Sequence, residues 1–162
     1  MNKGNRSMHL FDNDITLTDL GHARYGGVVS DNWSINGNPN GGYLMAMMAG
    51  AMLKNSDKQE TPILTVNYLS RSVPGDIEIS VSEMARSRQF TRFEARLFQA
   101  GEEKVRALGT FSAKNSECSV SRNEAGAPAL PPVQTCVPIP TMPKYTLFHN
   151  LELRLDPACT GW

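Results

Sequence analysis

The run from Tyr43 to Leu53, YLMAMMAGAML, constrains the fold more than any other segment because it carries almost no polar side chain, the hydroxyl of Tyr43 being the exception. A helix of this composition is apolar on every face, so it is predicted to be buried all round. At about 12 residues it is too short to cross a bilayer, which needs about 20. The sequence therefore predicts a central helix that the rest of the domain encloses.

The residues before this helix predict a well-defined start. Pro39 ends the preceding segment, and Asn40 is a residue type that caps helices by accepting a backbone N–H bond. Gly41 and Gly42 follow in the first turn, where a ligand can approach the bare backbone. Exposed N–H groups at such a start are suited to hold a carbonyl oxygen or an oxyanion. The alternative is that Asn40 is only a cap and that the glycines allow tight packing against a sheet.

Beyond the helix, the apolar pattern changes to the period of two that is typical of strands. Ile77, Ile79 and Val81 alternate with polar residues, and Arg92, Glu94 and Arg96 form a charged outer face on a later strand. The predicted strands are Pro62 to Ser70, Asp76 to Ala85, Gln89 to Gln99 and Val105 to Phe111, with a weaker one at Arg24 to Ile35. One apolar helix and a sheet with one apolar face bury each other, which predicts an α+β domain with a curved antiparallel sheet wrapped around the helix.

The pattern predicts three regions along the chain. Residues 1–115 form the domain, and residues 116–144, which are rich in proline, form a linker or crossover. Residues 145–162 start with strand-like alternation from Tyr145 to Leu155, like the opening of a second unit.

Composition excludes several classes of function. With 16 basic and 16 acidic residues, the chain lacks the excess of positive charge that would indicate nucleic-acid binding. No segment is long and apolar enough to cross a membrane as a helix. The beginning of the chain lacks the apolar stretch of a signal peptide, which predicts a cytoplasmic protein. Cys118, Cys136 and Cys159 match no metal-ligand spacing and are expected to be free thiols, and the three histidines are scattered. We therefore expect no metal site.

Several segments resemble one family. They are Trp33, the NGGY helix start at Asn40 to Tyr43, RSVPGDIEISV from Arg71 to Val81, and the hairpin from Phe90 to Phe111. In this order they resemble the acyl-CoA thioesterase-like proteins with a double hotdog fold, related to thioesterase II. The resemblance implies a hotdog domain whose substrate is an acyl-CoA thioester, with coenzyme A as part of the substrate and no further cofactor. It covers the first of the two repeats and the start of the second.

The family's catalytic groups map onto no position of this sequence, but the requirements of thioester hydrolysis suggest roles for particular residues. Asn40 would orient water, and the N–H groups of Gly42 and Tyr43 would hold the oxyanion. Gly41 allows close approach, and Met45 is one of four helix methionines suited to a flexible acyl chain. Arg71 and Arg88 would pair with the phosphates of coenzyme A; solvated turn cations are the alternative. The helix carries no Asp or Glu to act as a base, and the Asp–His pair that hydratases of this fold use is absent from it.

Three functions remain open from the sequence. The first is an acyl-CoA thioesterase. The second is a non-catalytic module that lacks the base and either binds acyl groups or CoA or is vestigial. The third is a scaffold that assembles with another hotdog chain. The first two predict a homodimer or higher homo-oligomer, because an isolated hotdog domain leaves sheet edges unpaired and its helix poorly covered.

Overall fold

A six-stranded antiparallel sheet wraps around one long helix in the computed structural model, which describes residues 8–114 and 126–160. The helices are α1 (Leu10–Asp14) and α2 (Gly41–Lys54). The strands are β1 (Thr18–Gly21), β2 (Arg24–Val29), β3 (Ser34–Ile35), β4 (Asn38–Pro39), β5 (Glu60–Tyr68), β6 (Gly75–Arg86), β7 (Phe90–Gln99), β8 (Glu102–Ser112), β9 (Val137–Pro138) and β10 (Arg154–Leu155). This arrangement confirms the α+β class.

The large sheet has the strand order β1-β2-β6-β7-β8-β5, and every neighbouring pair is antiparallel. The four strands predicted after the helix are confirmed, and their observed bounds differ from the predicted ones by at most three residues. The weaker strand was predicted too long, because β2 ends at Val29. Asn36 and Gly37 have positive φ angles of 53° and 69°, which form a tight turn between β3 and β4. This small hairpin ends at Pro39, directly before the cap residue Asn40 and the start of α2.

The apolar core lies between α2 and the concave face of the sheet. Three methionines of α2 and the inward residues of β6, β7 and β8 are fully or almost fully buried. They are Met47, Met48, Met52, Ile77, Ile79, Val81, Phe93, Ala95, Leu97, Val105, Ala107 and Phe111. The inward residues are those that the alternation predicts.

One face of α2 is open to solvent, which corrects the prediction of a helix buried all round. This open face consists of Gly42, Met45, Ala46, Ala49, Gly50 and Leu53, which follow each other at spacings of three and one. None of them is buried, and Met45 is 37% exposed. The sheet covers only the other side of the helix, so residues 8–114 and 126–160 leave an apolar face without polar side chains exposed to solvent.

Gly109 on β8 faces α2 at very short range. A Cβ atom there would lie 2.5 Å from Met52 Sδ and 2.8 Å from Phe111 Cε2, and both side chains are fully buried. Gly109→Ala is therefore expected to lower the free energy of unfolding by about 1–3 kcal/mol. Gly26→Ala on β2 is the matched control, since its Cβ would meet Leu20 at an ordinary 3.5 Å; it should leave stability unchanged or raise it by up to about 1 kcal/mol. Urea unfolding of both variants measures the difference, and equal effects would contradict this account.

The C-terminal part differs from the predicted strand over Tyr145 to Leu155. Residues Thr146–His149 form a 3-10 helix, and only Arg154–Leu155 is a strand, which pairs with Val137–Pro138. The first part of the predicted linker and Cys118 lie outside the described residues. None of the helices in the described ranges is long and apolar enough to span a membrane.

Candidate functional site

Asn40 caps α2 with its side chain. Its Oδ1 accepts hydrogen bonds from the backbone N–H groups of Gly42 at 2.8 Å and Tyr43 at 3.3 Å. The backbone N–H of Asn40 donates to the carbonyl oxygen of Trp33 at 2.8 Å, which fixes the cap against the preceding hairpin. Because Oδ1 faces the helix, the amide nitrogen Nδ2 points away from it, and this nitrogen makes no hydrogen bond within residues 8–114 and 126–160. The two N–H groups predicted to hold an oxyanion are thus engaged by Asn40.

The side chain of Tyr43 connects α2 by hydrogen bonds to the end of α1 and the end of β2. Its hydroxyl accepts from the backbone N–H of Ser30 at 3.0 Å and lies 2.9 Å from the carbonyl oxygen of Asp14 and 3.3 Å from that of Val28. Burial raises the pKa of this phenol above its ordinary value. Tyr43 therefore works through its side chain as an anchor, and only its backbone lies at the helix start.

Gly41 is explained by close packing. The hydroxyl of Tyr68, at the end of β5, donates to the carbonyl oxygen of Gly41 at 2.6 Å. A Cβ atom on Gly41 would lie 2.8 Å from that hydroxyl oxygen, so only glycine fits without a shift. This favours the alternative in which Gly41 serves the packing of β5 against α2.

A cavity of about 360 Å³ opens at the start of α2. Phe11, Trp33, Leu147 and Leu151 supply apolar walls, and three polar side chains lie among them. The described residues that line it are His9, Phe11, Trp33, Asn40, Gly42, Tyr43, Leu147, Asn150 and Leu151. A small apolar cavity with a few polar groups is the usual form of a small-molecule site. We call it the helix-start pocket.

The N-terminal helix α1 supplies one wall of the helix-start pocket. The ring of Phe11 packs edge-on against Trp33, with centroids 5.0 Å apart. Asp14 accepts from Trp33 Nε1 and from Asn32 Nδ2, both at 2.9 Å. Burial acts to raise the pKa of the Asp14 carboxyl, but these hydrogen bonds outweigh it, so its pKa lies below the ordinary value. A carboxylate held by these donors fixes the wall and is a poor base.

The residues from Lys144 to Leu151, here called the strap, supply the opposite wall. The hydroxyl of Thr146 accepts from the backbone N–H of Ser34 at 3.1 Å and contacts the carbonyl oxygen of Asp31. Asn150 Nδ2 donates to the carbonyl oxygen of Asn32 at 2.7 Å. The strap is therefore hydrogen-bonded to the loop that leads into α2, and it lies beside the start of the helix.

The structure brings together some of the residues that the sequence singles out. Asn40, Gly42 and Tyr43 share the helix-start pocket. Met45 lies outside its lining, on the open face of α2.

The two arginines lie near opposite ends of α2. Arg71 follows β5 at the end where Tyr68 contacts Gly41. Arg88 lies in the turn after β6, close to the ion pair between Arg86 and Asp57 beyond the end of α2. A 14-residue helix is about 21 Å long, so one chain does not bring Arg71 and Arg88 to one phosphate.

Sequence reasoning did not assign six of the described lining residues to a site: Trp33, which served only as a marker of the family, and His9, Phe11, Leu147, Asn150 and Leu151. The last five come from segments that are far from Asn40 in the sequence. It also missed Asp14 as the acidic residue beside Tyr43, because Asp31 is nearer along the chain. No local pattern carries this information, since tertiary contacts alone place these side chains.

Among the described residues, the pocket lining contains no carboxylate. Its one imidazole, His9, accepts from the backbone N–H of Phe11 through Nδ1 at 3.1 Å, so the neutral ring carries its proton on Nε2. Asn40 adds its amide nitrogen Nδ2, whereas Nδ2 of Asn150 already donates to the carbonyl oxygen of Asn32. Within the described ranges no group of three or more His, Cys, Asp or Glu is placed to hold a metal ion. The pocket thus offers hydrogen-bond donors to a carbonyl oxygen.

The family model of the acyl-CoA thioesterase N-terminal domain matches residues 29–112, which is just over half of the chain and includes the cap, α2 and all of β5 to β8. The chain belongs to this family. A comparison with curated proteins gives no significant match. α1 and the strap, which form two walls of the helix-start pocket, lie outside the matched region of this thioesterase-family domain.

Solved structures confirm that the domain has the hotdog fold. A proposed thioesterase II from Thermobifida fusca superposes with a TM-score of 0.83 at 23% identity, covering 93% of this chain and 56% of that protein. A hot dog protein of unknown function from Alicyclobacillus acidocaldarius gives 0.77 at 23% identity, covering 88% and 53%. The acyl-CoA thioesterase II TesB2 from Mycobacterium marinum gives 0.64 at 17% identity, covering 78% and 46%. The chain spans about half the length of these proteins.

Proposed function

We propose that this domain binds an acyl-CoA thioester at the helix-start pocket and that its assembled form hydrolyses it. The observation that carries the proposal is the position of the pocket, which joins apolar walls to hydrogen-bond donors at the positive end of α2. Membership of the acyl-CoA thioesterase family supports the substrate class. The acyl chain lies among Phe11, Trp33 and the strap leucines, and the thioester carbonyl faces Asn40.

Asn40 is the proposed contact with the carbonyl oxygen. The N–H groups of Gly42 and Tyr43 already donate to its Oδ1, so they polarise the side-chain amide and act on the substrate through it. Nδ2 then donates to the thioester oxygen, on which negative charge develops when water adds to the carbonyl carbon. The C–S bond breaks, the thiolate of coenzyme A leaves and takes a proton, and the free acid remains. A donor aimed at the developing charge lowers the barrier to this step.

A second copy of the chain is the proposed partner. The open face of α2 is an apolar surface, and β5 is an edge strand on which Ile63 is 60% exposed. An uncovered helix face beside an unpaired strand edge is unfavourable in water and favours self-association. In a homodimer the partner covers this surface and brings a carboxylate to activate water, which the pocket lining of one chain does not supply.

A second function rests on the same absence of a carboxylate from the pocket lining. A domain that holds the carbonyl without activating water is an acyl-CoA-binding module. In that case binding is retained, while turnover stays at the uncatalysed rate. The two functions share the pocket and differ only in the chemical step.

Release of free thiol from acyl-CoAs of increasing chain length tests the proposal. The protein should release thiol well above an enzyme-free control, and the rate should saturate with substrate concentration. Calorimetric titration with the same acyl-CoAs separates the two functions, since binding without turnover identifies the binding module. If the protein neither binds nor cleaves acyl-CoAs of any chain length, both proposed functions are wrong.

A further inference from the structure

We infer that the strap sets the length of acyl chain that the helix-start pocket accepts, with Leu147 and Leu151 forming the wall that limits it. This inference rests on the proposed function, because it names the substrate subclass of the same pocket. Three of the described lining residues follow the Pro-rich segment in the sequence, and all three belong to the strap: Leu147, Asn150 and Leu151.

The strap is fixed firmly enough to act as a wall. Its contacts with the loop before α2 run from Lys144, whose carbonyl oxygen accepts from the backbone N–H of Asn36 at 2.6 Å, to Asn150, which donates to Asn32. Thr146 lies between them and bonds to both the N–H and the carbonyl oxygen of Ser34, each at 3.1 Å. Both ends and the middle of the strap are thus held against the same loop.

The two leucines have different surroundings. Leu147 packs against the buried core, so it also supports the fold. Leu151 lies at the end of the strap, lines the pocket and is 44% exposed. A change at Leu151 therefore alters the shape of the pocket without opening a cavity in the core. This makes Leu151 the position that tests the wall.

The chemistry and size of the pocket favour a short or medium acyl chain. The side chains that face each other across it are aromatic on one side and aliphatic on the other, and no charged group lines the apolar part. A volume of about 360 Å³ lies near the lower end of the range of about 300–1,000 Å³ for small-molecule pockets. A long acyl chain would have to extend past Leu151 into solvent.

The test compares Leu151→Trp and Leu151→Ala with wild type over straight-chain acyl-CoAs from two to sixteen carbons. Leu151→Trp fills the end of the pocket, so we expect the ratio of kcat/KM for the longest well-cleaved substrate to kcat/KM for the two-carbon substrate to fall by about tenfold. Leu151→Ala should shift the preference toward longer chains. Leu155→Trp is the matched control, since Leu155 is similarly exposed at 38%, lies four residues further on and does not line the pocket.

Binding by calorimetry gives a second readout if turnover is absent. The affinity profile over chain length should then shift in the same direction in the Leu151 variants and stay unchanged in Leu155→Trp. An unchanged profile in Leu151→Trp, with substrates still bound or cleaved, would overturn this inference and leave the proposed function standing. A wild-type protein that neither binds nor cleaves any of these acyl-CoAs would overturn both.

Discussion

Asn40→Asp is expected to keep the fold and to lower kcat for acyl-CoA hydrolysis by about 10²–10³-fold. Aspartate caps helices as well as asparagine does, and its negative charge at the start of α2 adds about 0.3–1 kcal/mol of stability. The carboxylate still accepts from the N–H groups of Gly42 and Tyr43, but it has no N–H to offer to the thioester oxygen. The expected loss is that of one preorganised donor to an oxyanion.

Asn40→Ala provides the complementary test. It removes the cap as well as the donor, so it should lower stability by about 1 kcal/mol and lower turnover like Asn40→Asp. It also frees the N–H groups of Gly42 and Tyr43. If these groups hold the oxyanion directly, Asn40→Ala will retain turnover while Asn40→Asp loses it, which contradicts the role given to Nδ2. Thermal unfolding of both variants, measured beside thiol release, separates the two effects.

A gain of turnover in Asn40→Asp would instead mean that a carboxylate at this position supplies the missing base.

Met45→Glu is expected to convert a homodimer into a monomer. Met45 is an exposed apolar side chain on the open face of α2, and in a dimer its replacement would bury an unpaired carboxylate among apolar side chains. In the monomer the same side chain is exposed to solvent, so the fold is retained. Size-exclusion chromatography with light scattering at micromolar concentration should give the mass of two chains for wild type and of one chain for the variant.

Met84→Glu is the control for this experiment, because Met84 is an exposed methionine on β6 and lies away from α2 in the sheet. It should retain the mass of wild type. A wild-type protein that is already a monomer at micromolar concentration would contradict the proposed partner. If the partner also completes the active site, Met45→Glu should abolish turnover while single chains still fold, as circular dichroism would show.

The strand and helix pattern of the domain was readable from the sequence because burial there is periodic. Along β7, Thr91, Phe93, Ala95 and Leu97 point inward and alternate with outward residues, and all four are buried. The cap was readable for a similar local reason, since Asn40 stands directly before two glycines and an apolar run. In both cases the physical cause acts between residues that are close in sequence.

The rest depends on contacts that periodicity does not record. A helix without polar side chains looks the same in sequence whether its own chain or a partner covers it, so the open face of α2 was not predictable. The walls of the pocket come from Phe11 and Leu147, which lie on opposite sides of the domain in sequence.

The contact between Thr146 and Ser34, which joins residues 112 positions apart, also determines when the pocket can form. Contacts distant in sequence form late, because closing a long loop costs more conformational entropy than closing a short one. The sheet and α2 lie between residues 18 and 112, so they can fold while the strap is still inside the ribosome. A nascent chain would therefore bury its core before it has a finished pocket, and ligand could not assist the earlier steps of folding.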